Sequence, residues 1–150
     1  MPAPPEIVVT VNQEVFEKVC NDLGLERPIS LVLKRANSRG QITRGSAGWD
    51  TIITIYYGLE KQEITRLPFV QSQIVKTILH ELRHEWQMEK KPESWWEEDE
   101  RYQYNIKPSE VDARDWADAN LSKYRNLVRV KREGVSRLGR LSAAEKGVRG

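Results

Sequence analysis

The chain has 150 residues, 39% hydrophobic and 31% charged, with a net charge of +2, the proportions of one soluble globular domain. Its single cysteine, Cys20, excludes an internal disulfide framework and fits a reducing compartment. Met1-Pro-Ala-Pro-Pro-Glu6 lacks the basic and apolar regions of a signal peptide, and no apolar run approaches the length of a bilayer span, so a cytoplasmic protein without a membrane partner is expected.

Taken in chain order, residues 6–11 read as a short strand. A helix follows, capped by Thr10 or Asn12, carrying Val15, Phe16, Val19 and Leu23 on one face and stopping at Gly24. Cys20 falls within that amphipathic pattern and reads as an inert packing thiol. Residues 29–33 predict a second strand, Asn37 to Gly40 a turn and residues 41–47 a returning strand. Trp49 to Tyr57, dense in β-branched and aromatic residues, is the clearest strand of all.

Pro68 opens a long helix running to about Lys90. Ser94-Trp95-Trp96-Glu97 fits a capping box for a short helix through Tyr102. Pro108-Ser109-Glu110 starts a helix expected to reach about Val128. The expected organisation is therefore an α+β domain over residues 1–128 with a basic, flexible tail over 129–150. From Lys123 onward nine Lys or Arg face two Glu, so the basic character belongs to the tail and the first 122 residues carry −5.

The long helix holds the sequence His80-Glu81-Leu82-Arg83-His84. Residues four apart on a helix share a face about 5–6 Å apart, and two imidazoles at that spacing can hold one ion about 2.0–2.1 Å from each nitrogen, as zinc prefers. A glutamate directly after the first histidine stands on the flank, able to take a proton from a metal-bound water without being a ligand. With two histidines and sixteen glutamates in the chain, chance produces this arrangement roughly one time in 700, which makes the signal strong. Helical phase agrees: Val75, Ile78, Leu79, Leu82 and Trp86 form one apolar stripe, and the histidines lie opposite it.

His80-Glu81-x-x-His84 after Ile78-Leu79 resembles the zinc-binding helix of the zincin metallopeptidases, with Arg83 departing from the uncharged residues usual between the histidines. A catalytic zinc takes three protein ligands and one water. The chain has no third histidine, which sets aside the branches that use one, metzincins and SprT-like proteases among them. A carboxylate is expected instead, as in the gluzincin branch. Glu85 and Glu89 share the histidine helix, the 97–100 run reads as a solvated face, and Asp115 and Asp118 lie in mid-helix. Glu110 leads the stripe Glu110, Ala113, Ala117, Leu121, Tyr124, Val128, and a carboxylate on a core-facing stripe is costly unless paired or metal-bound. It is the favoured third ligand. Asp112 is second, with partnership to Ser109 in the first turn as its other role. Pro108-Ser-Glu110-Val-Asp112-Ala113-x-x-Trp116-Ala117 is similar to the third-ligand helix of the ImmA/IrrE-type peptidases, although Arg114 stands where the thermolysin-type pattern has Asp.

The resemblance implies a minimal zincin-like fold: a small mixed or antiparallel sheet of three to four strands packed on the histidine helix, plus the third-ligand helix. It implies a zinc-dependent peptidase with Glu81 as general base, His80, His84 and Glu110 as ligands, and a protein or peptide substrate laid along an edge strand, for which Trp49–Tyr57 is the candidate. Tyr57, Tyr102 and Tyr104 are the candidates for stabilising an oxyanion. Trp95 and Trp96 either border the cleft or cover the edge of the core. Three other functions stay open: an inactive zincin-fold binding protein, a non-peptidase hydrolase, since the triad reports a metal-activated water and not the bond it attacks, and weak nucleic-acid contact through Arg129, Lys131, Arg132, Arg137 and Arg140 of the tail.

Overall fold

One long helix organises the chain. The computed structural model describes residues 6–35, 43–46, 52–57 and 67–133 and places helix α2 over Leu67–Lys90. Pro68 sits in its first turn, where the missing N–H has no partner to lose. Val70, Ile74, Val75, Ile78, Leu79 and Leu82 are each at most 1% exposed, the apolar stripe that the i, i+3, i+4 spacing predicts. Helix α2 packs most extensively on the helix that begins at Pro108, and also against strands of two sheets.

Strands β2 (Ser30–Arg35), β3 (Thr43–Ser46) and β4 (Ile52–Tyr57) form a mixed sheet in the order β2-β4-β3. Strand β4 runs parallel to β2 and antiparallel to β3. Its Ile53 and Ile55 are fully buried while Ile52 is exposed, the alternation expected of a strand with one face on the core. Being central, β4 is not the edge strand that its β-rich sequence suggested. That place falls to β3, which packs against α2 and has no strand on its outer side among the described residues. Trp49 and the turn predicted over Asn37–Gly40 lie outside the described residues.

A second, two-stranded sheet pairs β1 (Glu6–Val11) antiparallel with β5 (Val128–Glu133), Val9 opposite Val130 and Val11 opposite Val128. Residues 129–133 are therefore part of the fold and not of a flexible tail. Val128 and Val130 are buried and Arg129 and Lys131 exposed, so a short period-two pattern wins over the local basic charge. Residues 134–150, with Arg137 and Arg140, lie outside the described residues.

Helix α1 (Gln13–Leu23) starts where the Asn12 side chain accepts the Val15 N–H and ends at Gly24, whose φ of 66° is the left-handed conformation that glycine adopts freely. Phe16, Val19 and Leu23 join the core. The half-buried Cys20 thiol is pushed up to about 11 by burial and by nearby Glu17 and Glu89, which keeps it protonated and unreactive at neutral pH.

Helix α3 (Glu93–Asp99) begins at Pro92 without a side-chain cap, so the Ser94 capping box does not form. Helix α4 (Pro108–Asn120) stops well short of Val128. There the chain turns through Tyr124, whose buried hydroxyl donates to Asp22 of α1, and enters β5. The architecture is α+β, and no described helix is long and apolar enough to cross a membrane.

Candidate metal centre

The second half of α2 carries His80, Glu81 and His84, whose ligand atoms lie within 4.8 Å of one another. Helix α4 crosses this stretch closely because the residues it turns inward, Ala113 and Ala117, are small and fully buried. The approach delivers Glu110. Its Oε1 lies 3.1 Å from His80 Nε2 and its Oε2 3.0 Å from His84 Nε2, while the two Nε2 atoms are 3.1 Å apart. The imidazoles meet edge to face, ring centroids 4.7 Å apart. The His80, His84 and Glu110 side chains are 19%, 12% and 15% exposed, so water can reach the cluster but does not surround it.

Three electron-pair donors at this separation repel unless a cation, a proton or a metal ion, lies among them. The titration of the groups reflects this. Burial alone raises the Glu110 carboxyl, but the hydrogen bonds and charges of His80 and His84 hold it well below the usual carboxylate range. Burial lowers His84, and the hydrogen bonds with Glu110 and Gln87 outweigh it, leaving the imidazole raised. Glu81, 8% exposed, is raised chiefly by burial, with the histidines pulling against the shift and Glu110 adding to it.

The donor set fits zinc: two imidazole nitrogens, one carboxylate and an open side toward a cleft. The three edges of 3.0–3.1 Å are close to the separation of about 3.3 Å between neighbouring ligands of a tetrahedral ion bound at about 2.0–2.1 Å. Calcium and magnesium prefer all-oxygen shells.

Asp112, the alternative ligand, is committed elsewhere. Arg83 donates to both its oxygens, Nε to Oδ2 at 2.8 Å and a terminal nitrogen to Oδ1 at 3.1 Å. The same guanidinium lies 3.7 Å from the Trp86 ring centroid. Arg83, a charged residue between the two histidines, is thus a clamp between α2 and α4. Ser109 does not pair with Asp112 either: its N–H and hydroxyl both donate to Asp99, at 2.7 and 2.8 Å. Asp99 is 2% exposed, a buried anchor for the start of α4 within a run that reads as solvated. Glu85 and Glu89 face the other way, onto Arg27 and the backbone N–H groups of Glu26 and Arg27. Asp118 pairs with Lys76, and Arg114 donates to the Asn105 carbonyl.

A cleft of about 340 Å³ opens beside the cluster, lined by Glu81, His84, Met88, Trp96, Tyr104 and Glu110 among others. Among the candidate tyrosines whose side chains are described, Tyr104 lines it. Burial and the proximity of Glu110 raise its hydroxyl pKa, so it remains a donor across the neutral range. Tyr102 is exposed and does not line the cleft, and the Tyr57 side chain lies outside the described residues. Trp96 faces the cleft, and Trp95 packs edge-on against it, near Lys91. A larger cavity of about 610 Å³ lies at the Val11–Val128 end of the β1–β5 ribbon, against Gln71 of α2 and away from the histidines.

A family of proteins of unknown function, DUF3920, matches residues 45–128, more than half of the chain, and the chain belongs to this family. The matched span holds α2, α3 and α4 and with them every member of the cluster. No curated protein and no solved structure matches the chain.

Proposed function

We propose that the chain is a zinc-dependent metallopeptidase with a minimal zincin-like fold. The observation that carries this reading is the meeting of His80, His84 and Glu110 from two helices at mutual distances of 3.0–3.1 Å, beside a buried Glu81. When bound, zinc supplies a water acidified to near neutral pH and polarises a peptide carbonyl.

The chain's own residues do the rest. His80, His84 and Glu110 would hold the ion. Glu81, buried beside both histidines and raised by that burial, would take the water's proton and pass it to the leaving amine. The Tyr104 hydroxyl, on the cleft wall near Glu110, donates to the developing oxyanion. An extended peptide adds to the outer side of β3, the strand beside α2, through main-chain hydrogen bonds.

The test is metal content and peptide cleavage of the full chain. Wild type should hold one zinc per chain and cleave a mixed peptide library. Glu110→Ala should lose the zinc. Glu81→Gln should keep it and lose cleavage by about 10²–10⁴-fold. Purified wild type that takes up no zinc overturns the reading. Zinc-loaded wild type that cleaves nothing turns it into a metal-dependent binding protein.

A further inference from the structure

Gln87 lies one turn beyond His84 on α2 and is fully buried. Its Oε1 is 2.8 Å from His84 Nδ1, and its Nε2 donates to the Ser109 carbonyl and to Asp112 Oδ2, both at 2.9 Å. Those two partners can only accept, so the amide nitrogen must face them and the amide oxygen must face the imidazole. An amide oxygen also only accepts. The proton between Gln87 and His84 therefore belongs to Nδ1, and Nε2 is the nitrogen left with a free pair.

The direction of the amide is itself fixed from outside. Asp112 is held by the two-pronged Arg83 contact, and Arg83 rests on Trp86. The chain of contacts runs Trp86–Arg83–Asp112–Gln87–His84, starting and ending on α2 and passing through α4.

We infer that Gln87 is a positioning residue for His84, holding the imidazole as its Nδ1–H tautomer and turning a bare Nε2 toward His80 and Glu110. The inference rests on the metal-binding reading above for its purpose, though not for its geometry. The outer partner of a metal-binding histidine sets ring orientation and ligand basicity, and here an amide anchored on Ser109 and Asp112 does so. Because the amide is tied to Ser109 and Asp112, movement of α4 carries Glu110 and the His84 ring together.

Two measurements on the full chain test this. In metal-free wild type, at a pH where both imidazoles are neutral, a long-range ¹H–¹⁵N correlation spectrum should show His84 protonated on Nδ1; a proton on Nε2 overturns the inference. Zinc titration against a chromophoric chelator should then compare Gln87→Met with Gln87→Glu. The first removes all three hydrogen bonds and should weaken zinc binding about 10–100-fold. The second still accepts from Nδ1–H but cannot donate to Ser109, so it should bind zinc within a few-fold of wild type while its melting temperature falls. Equal loss of affinity in both variants would reduce Gln87 to a tie between helices. Absence of zinc in wild type would sink the metallopeptidase reading, and the spectrum would still decide the amide–imidazole arrangement.

Discussion

Helix α2 is buried on two faces by opposite means. Toward the core it presents Ile74, Val75, Ile78, Leu79 and Leu82, all at most 1% exposed, which need only shape and volume to be satisfied. Toward α4 it presents His80, Arg83, His84 and Gln87, each committed to a named partner at 2.8–3.1 Å. The apolar face decides that the chain folds, and the polar face decides how α4 must sit. Burying polar groups is costly unless all are paired. The second face therefore tolerates few arrangements, and precise placement of reactive atoms follows from that intolerance.

The comparison can be broken from either side. Ile78→Ala empties the centre of the apolar face and should cost up to about 5 kcal/mol, read from denaturant midpoints, while the folded protein still binds zinc one to one. Glu110→Ala should do the reverse. At zinc concentrations about 1,000 times the dissociation constant, wild type gains about 4 kcal/mol of stability and the variant gains nothing; equal gains in the two would remove Glu110 from the centre.

Smaller effects sharpen it. Asp99→Ala leaves the Ser109 N–H and hydroxyl without their acceptor and should cost about 1–3 kcal/mol, with zinc affinity falling as α4 loosens. Glu89→Gln should be milder, at most about 1 kcal/mol. The Glu89 carboxyl sits below its ordinary value of 4.5: burial pushes it up, and the N–H groups of Glu26 and Arg27 together with the Arg27 guanidinium outweigh that. Its contribution is thus present in full above the ordinary glutamate range and is lost as pH falls through 4.5 and below. Urea midpoints of wild type and variant should converge in acid and separate toward neutrality.

How far this was readable in the sequence depends on how local each feature is. His80, Glu81 and His84 belong to one helix, so spacing alone places them on one face. Glu110 was readable because a carboxylate heading an alanine-rich apolar stripe has few other uses. Gln87 and Asp99 were not readable. A glutamine that holds a histidine, and an acid that anchors a helix start inside the run 97–100, acquire those roles only when α2, α3 and α4 are placed against one another. Strand content was legible in Ile52–Tyr57, whereas its central position depends on pairing with β2 and β3. The Val-Arg-Val-Lys alternation of β5 was present from the start, but four residues of alternation weigh little beside the basic charge around them. The roles of Arg83 and Asp112 were missed for one shared reason: each is explained by the other.

The pairing of β1 with β5 bears on the chain's response to force. Glu6 lies opposite Glu133 at one end of this antiparallel ribbon, so tension applied through these two positions opens its ladder like a zipper, one rung after another. Peeling asks far less than shearing all the rungs at once. A molecule pulled through these two positions should yield first at the outer rungs of this seam, ahead of the stretch of β5 that packs against α2.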